Sequence, residues 1–261
     1  MSRLSPVTCQ ENDGLLALFH CLAGDDRPRL PSPRSTEKAP KDFAATQTGL
    51  SLLTGPPFIL DLGTTLAGRV VLTGRTVLYV DGANAFDPYI LSALAKEVGQ
   101  SPKAVMQRLH LTRAFTCHQL ETLIVERLPG AIARYCPGLV VISGWSHLFH
   151  DENVPTREAF RLLQNTARRI RWLTEGGQPI LATHPEEPVT SRLKPLREIL
   201  TRAADGVARL REEEGLILAT REKPSDPHGT RSLVIPPEDC RPWFRGRHHQ
   251  ELPVAYPWTG R

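Results

Sequence analysis

In the segment VLYVDGANAFDPYI, which extends from Val77 to Ile90, an aspartate directly follows an apolar run of the kind that forms buried strands. A carboxylate at the end of a strand, here Asp81, can hold a metal ion, orient a water molecule, or accept hydrogen bonds from the following turn. Gly82 and Asn84 tolerate the backbone angles of such a turn. One carboxylate alone holds Mg²⁺ poorly, so the chemistry of Asp81 depends on its neighbours in the fold.

Histidines supply a second set of candidate ligands. His147, His150 and Asp151 are close in the sequence, and His184 ends a later apolar run. If both runs are parallel strands, these side chains gather at one edge of a sheet. Polar residues also occupy the loop tips of ordinary α/β domains, and we predict no metal site. The 5 cysteines are widely spaced and form no C-x-x-C motif, which predicts neither a zinc site nor a disulfide framework.

Basic and aromatic residues form three groups that suit nucleic-acid binding. The groups are Arg192, Lys194 and Arg197 after the segment PILAT; Arg161, Arg168, Arg169 and Arg171 on a predicted helix; and Arg241, Trp243, Phe244, Arg245 and Arg247 in the segment RPWFRGRHH. Arginine and lysine neutralise phosphates, and bases stack on aromatic rings. Each group alone is also explained as a solvated surface, and the formal charge of +4 is too small to establish a polyanionic partner. Together they predict contact with DNA, most simply single-stranded DNA, through the first and third groups.

The chain divides into three regions. Residues 1–56 are rich in proline, serine and both charges and predict a flexible leader, with one short apolar helix at Gly14–Leu22. Residues 57–236 alternate strand and helix patterns and predict the folded core, whereas the basic and aromatic residues 237–261 predict an irregular tail. No apolar run is long enough to span a membrane and no secretory signal precedes the core, so we expect a cytoplasmic protein without a membrane partner.

Local signals predict the elements of the core. The segment PFILDLG is expected to form the first strand, with TVLYV and GLVVIS as later buried strands. Asp87 before Pro88, and Thr116 with Gln119, mark helix starts. A third helix is expected at Thr156–Glu175, and GVARL, GLILAT and RSLVIP form a closing antiparallel set. The predicted fold is therefore α/β: a mostly parallel sheet with helices on both faces and a C-terminal antiparallel extension.

Several of these segments, in this order, resemble the RecA-type recombinase superfamily, particularly its archaeal RadA-like branch and paralogues. The segments are VLYVDGANAF, LTRAFTCHQLETLI, GLVVISGWSHLF, PILATHPEE and ADGVARLREEEGLILATREKP, and the resemblance as a whole extends over roughly Leu50 to Pro236. The resemblance implies a RecA-like core of the P-loop ATPase type and a role in DNA recombination or repair. It also implies partners: DNA, and other RecA-type or repair subunits, which in this family meet through short apolar linker segments such as residues 14–22.

The chain departs from that family at each position that phosphoryl transfer requires. A phosphate-binding loop needs the motif G-x-x-x-x-G-K-[ST], and no Gly-Lys pair occurs in this sequence. Gly63, Thr64 and Thr65, together with Asp81, are the residues left that a nucleotide would contact. Ser143 replaces the magnesium-holding aspartate of the Walker B strand, and Ala83 stands where the family has a water-activating glutamate. We therefore predict no catalytic residues and no bound cofactor, ATP and magnesium included.

These observations predict a non-catalytic or weakly catalytic RecA-like accessory protein, a pseudo-ATPase that binds DNA, another RecA-type protein, or both. Two alternatives stay open. An atypical RecA-type ATPase would bind nucleotide through the segment LGTTLAGR. A PIN- or NYN-like nuclease, which YVDGAN and ISGWSHLF also resemble, would use Asp81 and a metal ion to cleave RNA.

Overall fold

One mixed sheet organises the protein. The computed structural model of the chain describes residues 49–186, 193–213, 216–223 and 232–235. Within these ranges the strands are β1 Leu50–Gly55, β2 Val77–Asp81, β3 Leu109–Arg113, β4 Leu139–Ser143, β5 Ile180–Pro185, β6 Gly206–Glu213, β7 Leu216–Lys223 and β8 Ser232–Ile235. They form one sheet in the order β3-β2-β4-β5-β1-β6-β7-β8.

The sheet is parallel from β3 to β6 and antiparallel beyond it. β1 pairs in parallel with β5 on one side and with β6 on the other, whereas β7 runs antiparallel to β6, and β8 to β7. The inner strands β1, β2, β4 and β5 are buried along their whole length, which explains their nearly continuous apolar sequences. The predicted α/β fold class, with its antiparallel C-terminal extension, is confirmed.

Helices cover both faces of the sheet. They are α1 Ile59–Leu72, α2 Pro88–Glu97, α3 Pro102–Met106, α4 Cys117–Thr122, α5 Leu128–Tyr135, α6 Thr156–Glu175 and α7 Leu193–Ala203, with a π-helical turn at Leu123–Arg127 and a 3₁₀ turn at His147–His150. Alternate strand residues point to opposite faces. Accordingly, Leu53 and Val141 pack in one apolar core with α1, α2 and α3, while Leu52 and Val140 pack in the other with α4 to α7.

The predicted helix starts and one complete helix agree with the structure. The Asp87 carboxylate accepts a hydrogen bond from the Tyr89 N–H at 2.8 Å. The Thr116 hydroxyl accepts one from the Gln119 N–H at 3.2 Å, and the Gln119 side chain reaches back to the Phe115 N–H. Helix α6 has the bounds that its apolar period predicts. None of the helices within the described ranges is both long and apolar enough to cross a membrane.

The prediction that the segment PFILDLG forms the first strand is wrong. The strand is β1, and Ile59 already lies in α1. Twelve of the fourteen residues of α1 are buried, so its sequence lacks the polar face by which an amphipathic helix is recognised. The sheet consequently starts at Leu50, inside the region predicted as leader. Residues 1–48, with the apolar segment 14–22, and the tail from 236 lie outside the described residues.

Gly55 is a position at which the backbone leaves no room for an added methyl group. Its φ is +151°, and a Cβ there would lie 2.6 Å from the backbone oxygen of Leu210. We expect Gly55→Ala to lower the free energy of unfolding by about 1–3 kcal/mol, measured by urea denaturation.

The control is Gly130→Ala. Gly130 lies in α5 with no atom within 4 Å of an added Cβ, so this change should raise helix propensity and stabilise by about 0.5–1 kcal/mol. Equal stabilities for the two variants would contradict the close approach of β1 and β6 at Gly55.

Candidate functional site

The carboxyl edge of the parallel strands is the candidate site. β1 leads through α1 to β2 on one side, and its neighbour β5 leads through α7 to β6 on the other. Ligands of open α/β sheets bind where neighbouring strands diverge in this way. The residues that end these strands are Gly55, Asp81, Ser143 and Pro185. The nucleotide and metal candidates predicted from the sequence were expected at the same edge.

The connection from β1 to α1 occupies the place of a phosphate-binding loop. Only Pro56, Pro57 and Phe58 separate the strand from the helix. A phosphate loop works by pointing backbone N–H groups at the ligand, and proline has none. Phe58 carries the one N–H group of this connection, and the N–H groups of Ile59 and Leu60 donate to the carbonyls of Pro56 and Pro57 at 3.1 Å. The connection therefore lacks the series of backbone donors with which a phosphate loop surrounds a triphosphate.

The predicted nucleotide contacts Gly63, Thr64 and Thr65 lie inside α1 and not in a loop. All three are buried. The Thr64 hydroxyl is bonded to the Leu60 carbonyl and to the Tyr79 hydroxyl, and the Thr65 hydroxyl donates to the Asp61 carbonyl at 2.9 Å. A Cβ added at Gly63 would meet the Thr183 methyl group at 3.1 Å. These residues pack α1 on the sheet, and the segment LGTTLAGR forms part of that helix and not a loop.

Asp81 is fully buried and satisfied on both carboxylate oxygens. Oδ1 accepts a hydrogen bond from the Ala85 N–H, and Oδ2 accepts one from the Phe86 N–H, both at 3.1 Å. The Arg113 guanidinium, at the end of the neighbouring strand β3, lies 3.3 Å from Oδ2. The carboxylate closes the turn after β2 and ties that turn to β3, in agreement with the turn interpretation of the sequence.

A second buried polar group lies beside it. The Tyr79 ring packs in the core under α1, and its hydroxyl is 3.0 Å from the Thr64 hydroxyl. Burial raises the pKa of Tyr79 to about 12, and the neighbouring hydroxyl groups of Ser143 and Thr64 offset part of that effect. Ser143, the Walker B position, faces this neutral phenol, so its surroundings are those of a core contact between β2 and β4.

The candidate histidines are distributed over separate contacts. His184 is buried, and its Nδ1 lies 2.5 Å from the Ser146 hydroxyl, whereas His147 and His150 bound the 3₁₀ turn. Across the part of the chain that the structure describes, no three histidine, cysteine or acidic side chains are grouped closely enough to hold a metal ion.

Cys117, His118 and Glu158 have the outline of a nucleophile, a base and an orienting carboxylate. The Cys117 sulfur is 3.6 Å from His118 Nδ1, and His118 Nε2 is 3.0 Å from the Glu158 carboxylate. However, Cys117 is only 1% exposed, and burial raises the pKa of its thiol, with the charges of Asp151 and Glu158 adding to the shift. A catalytic thiol needs the opposite, an accessible sulfur with a lowered pKa, so this trio is a structural contact between α4 and α6.

Of the predicted DNA-binding residues, Arg197 is the one whose side chain is described. Its guanidinium lies 3.7 Å from Glu186 and 3.3 Å from Glu222, both of which also contact Arg209. This network of two arginines and two glutamates joins α7 to the ends of β5, β6 and β7. Its charges balance, so Arg197 has less net charge to offer a phosphate than the sequence suggested.

The other predicted DNA contacts are not placed by side chain. Arg192 and the residues Arg241, Trp243, Phe244, Arg245 and Arg247 lie outside the described residues, and Lys194 is placed only as part of the backbone of α7. Two features were not predicted from the sequence. One is Trp172, which is 58% exposed on α6, and the other is the outer edge of β3, where Leu111 and the nearby Phe115 are exposed. Trp172 stands four residues after Arg168 in the sequence, the spacing that places two side chains side by side on a helix, and that signal was readable.

Comparison with protein-family models and with curated proteins returns no match to this chain.

A substitution at Asp81 separates a structural from a chemical role. Asp81→Asn leaves the shape unchanged but removes the charge facing Arg113 and at least one acceptor for the two turn N–H groups. We expect the free energy of unfolding to fall by about 1–3 kcal/mol. The reference is Asp87→Ala, the loss of an exposed helix cap, which costs about 1 kcal/mol. If Asp81 instead served catalysis or ligand binding at a cost in stability, Asp81→Asn would leave the free energy of unfolding unchanged or raise it.

Tyr79 should make stability depend on alkaline pH. Its phenol ionises near its ordinary value of 10 in the unfolded chain and at about 12 in the folded one, so the unfolded chain loses its proton first. The stabilisation is complete below pH 10 and disappears between pH 10 and 12, amounting to roughly 3 kcal/mol at most. Urea denaturation of the wild type and Tyr79→Phe should therefore show a difference that shrinks over this pH range. Tyr89→Phe, at an 80% exposed site, should show no such trend.

Proposed function

We propose that this protein is a non-catalytic RecA-like accessory subunit that acts in DNA recombination or repair by binding single-stranded DNA and a RecA-type partner. The observation that carries the proposal is the connection Gly55–Phe58. It stands where the resembled family binds triphosphate, within a sheet of the kind that family has, and it contains two prolines in place of backbone donors. A chain with this architecture and without phosphate donors is suited to binding and not to hydrolysis.

The surroundings of that connection support the same proposal. The Gly55 carbonyl accepts a hydrogen bond from the Glu186 N–H at 2.7 Å, and the Gly144 N–H donates to the Thr183 hydroxyl at 2.9 Å. The strand ends thus bond to one another across the edge where a nucleotide would lie. Asp81, the remaining acidic group of the resembled site, is fully occupied by its turn and by Arg113.

DNA contact is proposed for the segment that follows β5. Arg192 directly precedes α7 in the sequence, and Lys194 is the second residue of that helix. In the resembled family a DNA-contacting loop follows the corresponding strand. Because Arg197 is already paired with Glu186 and Glu222, we assign the phosphate contacts to Arg192 and Lys194, with the tail residues Arg241–Arg247 as a second contact.

A partner subunit is proposed to bind at the outer edge of β3. Among the described residues no strand pairs with that side of β3, so its backbone donors and acceptors are available to an added strand. Leu111 is 40% exposed there, and a surface hollow of about 200 Å³ lies between β3 and α5, lined by Leu123, Leu128 and Tyr135 among others. We assign this edge to a short apolar segment of a RecA-type subunit, and residues 14–22 to the reciprocal contact.

The test is binding of a fluorescein-labelled oligothymidylate across a salt series. The plot of log affinity against log salt should lose about 0.7 in slope for each phosphate contact removed. We expect Arg192→Ala/Lys194→Ala to weaken binding and flatten the slope, and Arg197→Ala to change neither, because Glu186 and Glu222 already neutralise its charge. Lys96→Ala/Lys103→Ala, which removes two exposed lysines from the opposite face, is the matched control.

A fluorescent ATP analogue added to the same samples addresses the catalytic alternative. We expect no binding. Saturable, magnesium-dependent binding would favour the atypical ATPase, and loss of DNA binding in Arg197→Ala alone would contradict the assignment of the phosphate contacts.

A further inference from the structure

The outer surface of α6 combines an exposed tryptophan with several arginine side chains. Trp172 is 58% exposed near the C-terminal end of this helix. A single exposed aromatic residue is common on protein surfaces and means little by itself. What sets Trp172 apart is that its ring forms a wall of two surface hollows, one apolar and one basic.

The apolar hollow lies between α5 and the end of α6. Its volume is about 540 Å³, and Pro129, Ile132, Ala133 and two glycines line it together with Trp172. Glu175 and Gln178 also line it, and the Glu175 carboxylate is paired with Arg171 at 3.2 Å. A hollow of this kind accepts a flat group against an aromatic ring.

The basic hollow lies on the other side of the ring. Arg168, Arg169 and Asn165 line it together with Trp172. The Arg169 guanidinium lies 5.1 Å from the centre of the Trp172 ring, a cation–π distance that holds both side chains in place. Arg168 donates to the neutral side chain of Asn165 at 2.5 Å.

The charges of this surface favour an anionic ligand. Among the described residues no carboxylate pairs with Arg168 or Arg169, whereas Arg171 is paired with Glu175 at 3.2 Å. Arg161 precedes Arg168 by seven residues, two helical turns or roughly 10 Å along the same face of α6. The stripe Arg161, Arg168 and Trp172 therefore combines spaced cations with an aromatic platform.

We propose that this stripe, with Arg169, binds single-stranded nucleic acid, one base stacking on Trp172 while Arg168 and Arg169 contact the adjoining phosphates. Single strands are bound by this combination of stacking ring and cationic track. The proposal rests on the proposed function for its ligand class and adds a different surface. Helix α6 runs from the carboxyl edge of β4 to the start of β5, so Trp172 lies toward the opposite edge of the sheet from the start of α7. A strand that engages both sites would pass over the α4–α7 face of the sheet.

The experiment uses the full chain with labelled oligothymidylate and, in parallel, oligouridylate of the same length. Trp172→Ala should weaken binding about five-fold or more, as for the loss of one stacked base, and Trp172→Phe should retain most of the affinity. Arg168→Gln/Arg169→Gln should weaken binding and flatten its salt dependence. Tyr89→Ala removes an 80% exposed aromatic residue from the opposite face and should bind as the wild type does.

Fluorescence tests direct contact. In a Trp243→Phe/Trp258→Phe background the remaining tryptophans are Trp172 and the fully buried Trp145, so quenching by the oligonucleotide reports stacking on Trp172. If Trp172→Ala lowers the affinity relative to this parent variant, but the oligonucleotide does not quench the parent's fluorescence, the effect of Trp172 is indirect and the proposal is overturned.

Two further outcomes separate this proposal from the proposed function. Binding that depends on Arg192 and Lys194 but is unchanged in Trp172→Ala overturns only the α6 site. A wild-type chain that binds neither oligonucleotide at low salt overturns both DNA assignments, and a protein segment then becomes the better occupant of the hollow. Equal affinities for the two oligonucleotides support recognition by stacking and phosphate, whereas a DNA-only or RNA-only result identifies the strand.

Discussion

The position of β1 between β5 and β6 is the constraint on which the rest of the molecule depends. At its start, the Leu50 N–H donates to the Asp205 carboxylate at 2.7 Å, and the Leu50 carbonyl accepts from the Asp205 N–H at 2.8 Å. At its end, the Gly55 carbonyl accepts from the Glu186 N–H. Both ends of the strand are thus bonded to the two strands beside it or to their connections. The parallel half of the sheet and the C-terminal hairpin form one layer because this strand joins them.

That constraint also defines what the carboxyl edge can do. A strand bonded up to Gly55, followed after three residues by a buried helix, leaves no length of chain for a phosphate loop. The polar side chains of the edge are used internally: Asp81 holds its own turn, Thr64 meets Tyr79, and Ser146 meets His184. In the proposed function, the binding contacts therefore lie away from this edge's internal bonds: in the segment after β5, at the edge of β3 and on the outer face of α6.

Much of the architecture could be predicted from local sequence signals, and the failures have physical causes. Capping residues such as Asp87 act on N–H groups two or three positions away, so they are readable without knowing the fold. The sequence predicts a strand where α1 begins, because this helix is buried on nearly all sides and a helix without a polar face shows no 3.6-residue apolar periodicity. The partners of Asp81 were only half predictable. The turn after it is local, but Arg113 arrives from the neighbouring strand through a register that only the folded sheet establishes. The pairing of Arg197 could not be predicted for the same reason, since Glu222 lies on a different strand.

The π-helical turn at Leu123–Arg127 gives α4 and α5 different phases. One residue more than a regular helix would hold is accommodated there, and each residue of an α-helix advances its side chains by roughly 100°. Leu120 before the turn and Ile124 within it can therefore face the core, while Ile132 and Ala133 after it line the hollow that Trp172 also lines. Deleting one residue from this turn would restore a continuous α-helical phase from α4 to α5 and rotate Ile132 and Ala133 away from Trp172. The shape of the surface beside α6 is therefore set by an irregularity in a neighbouring helix.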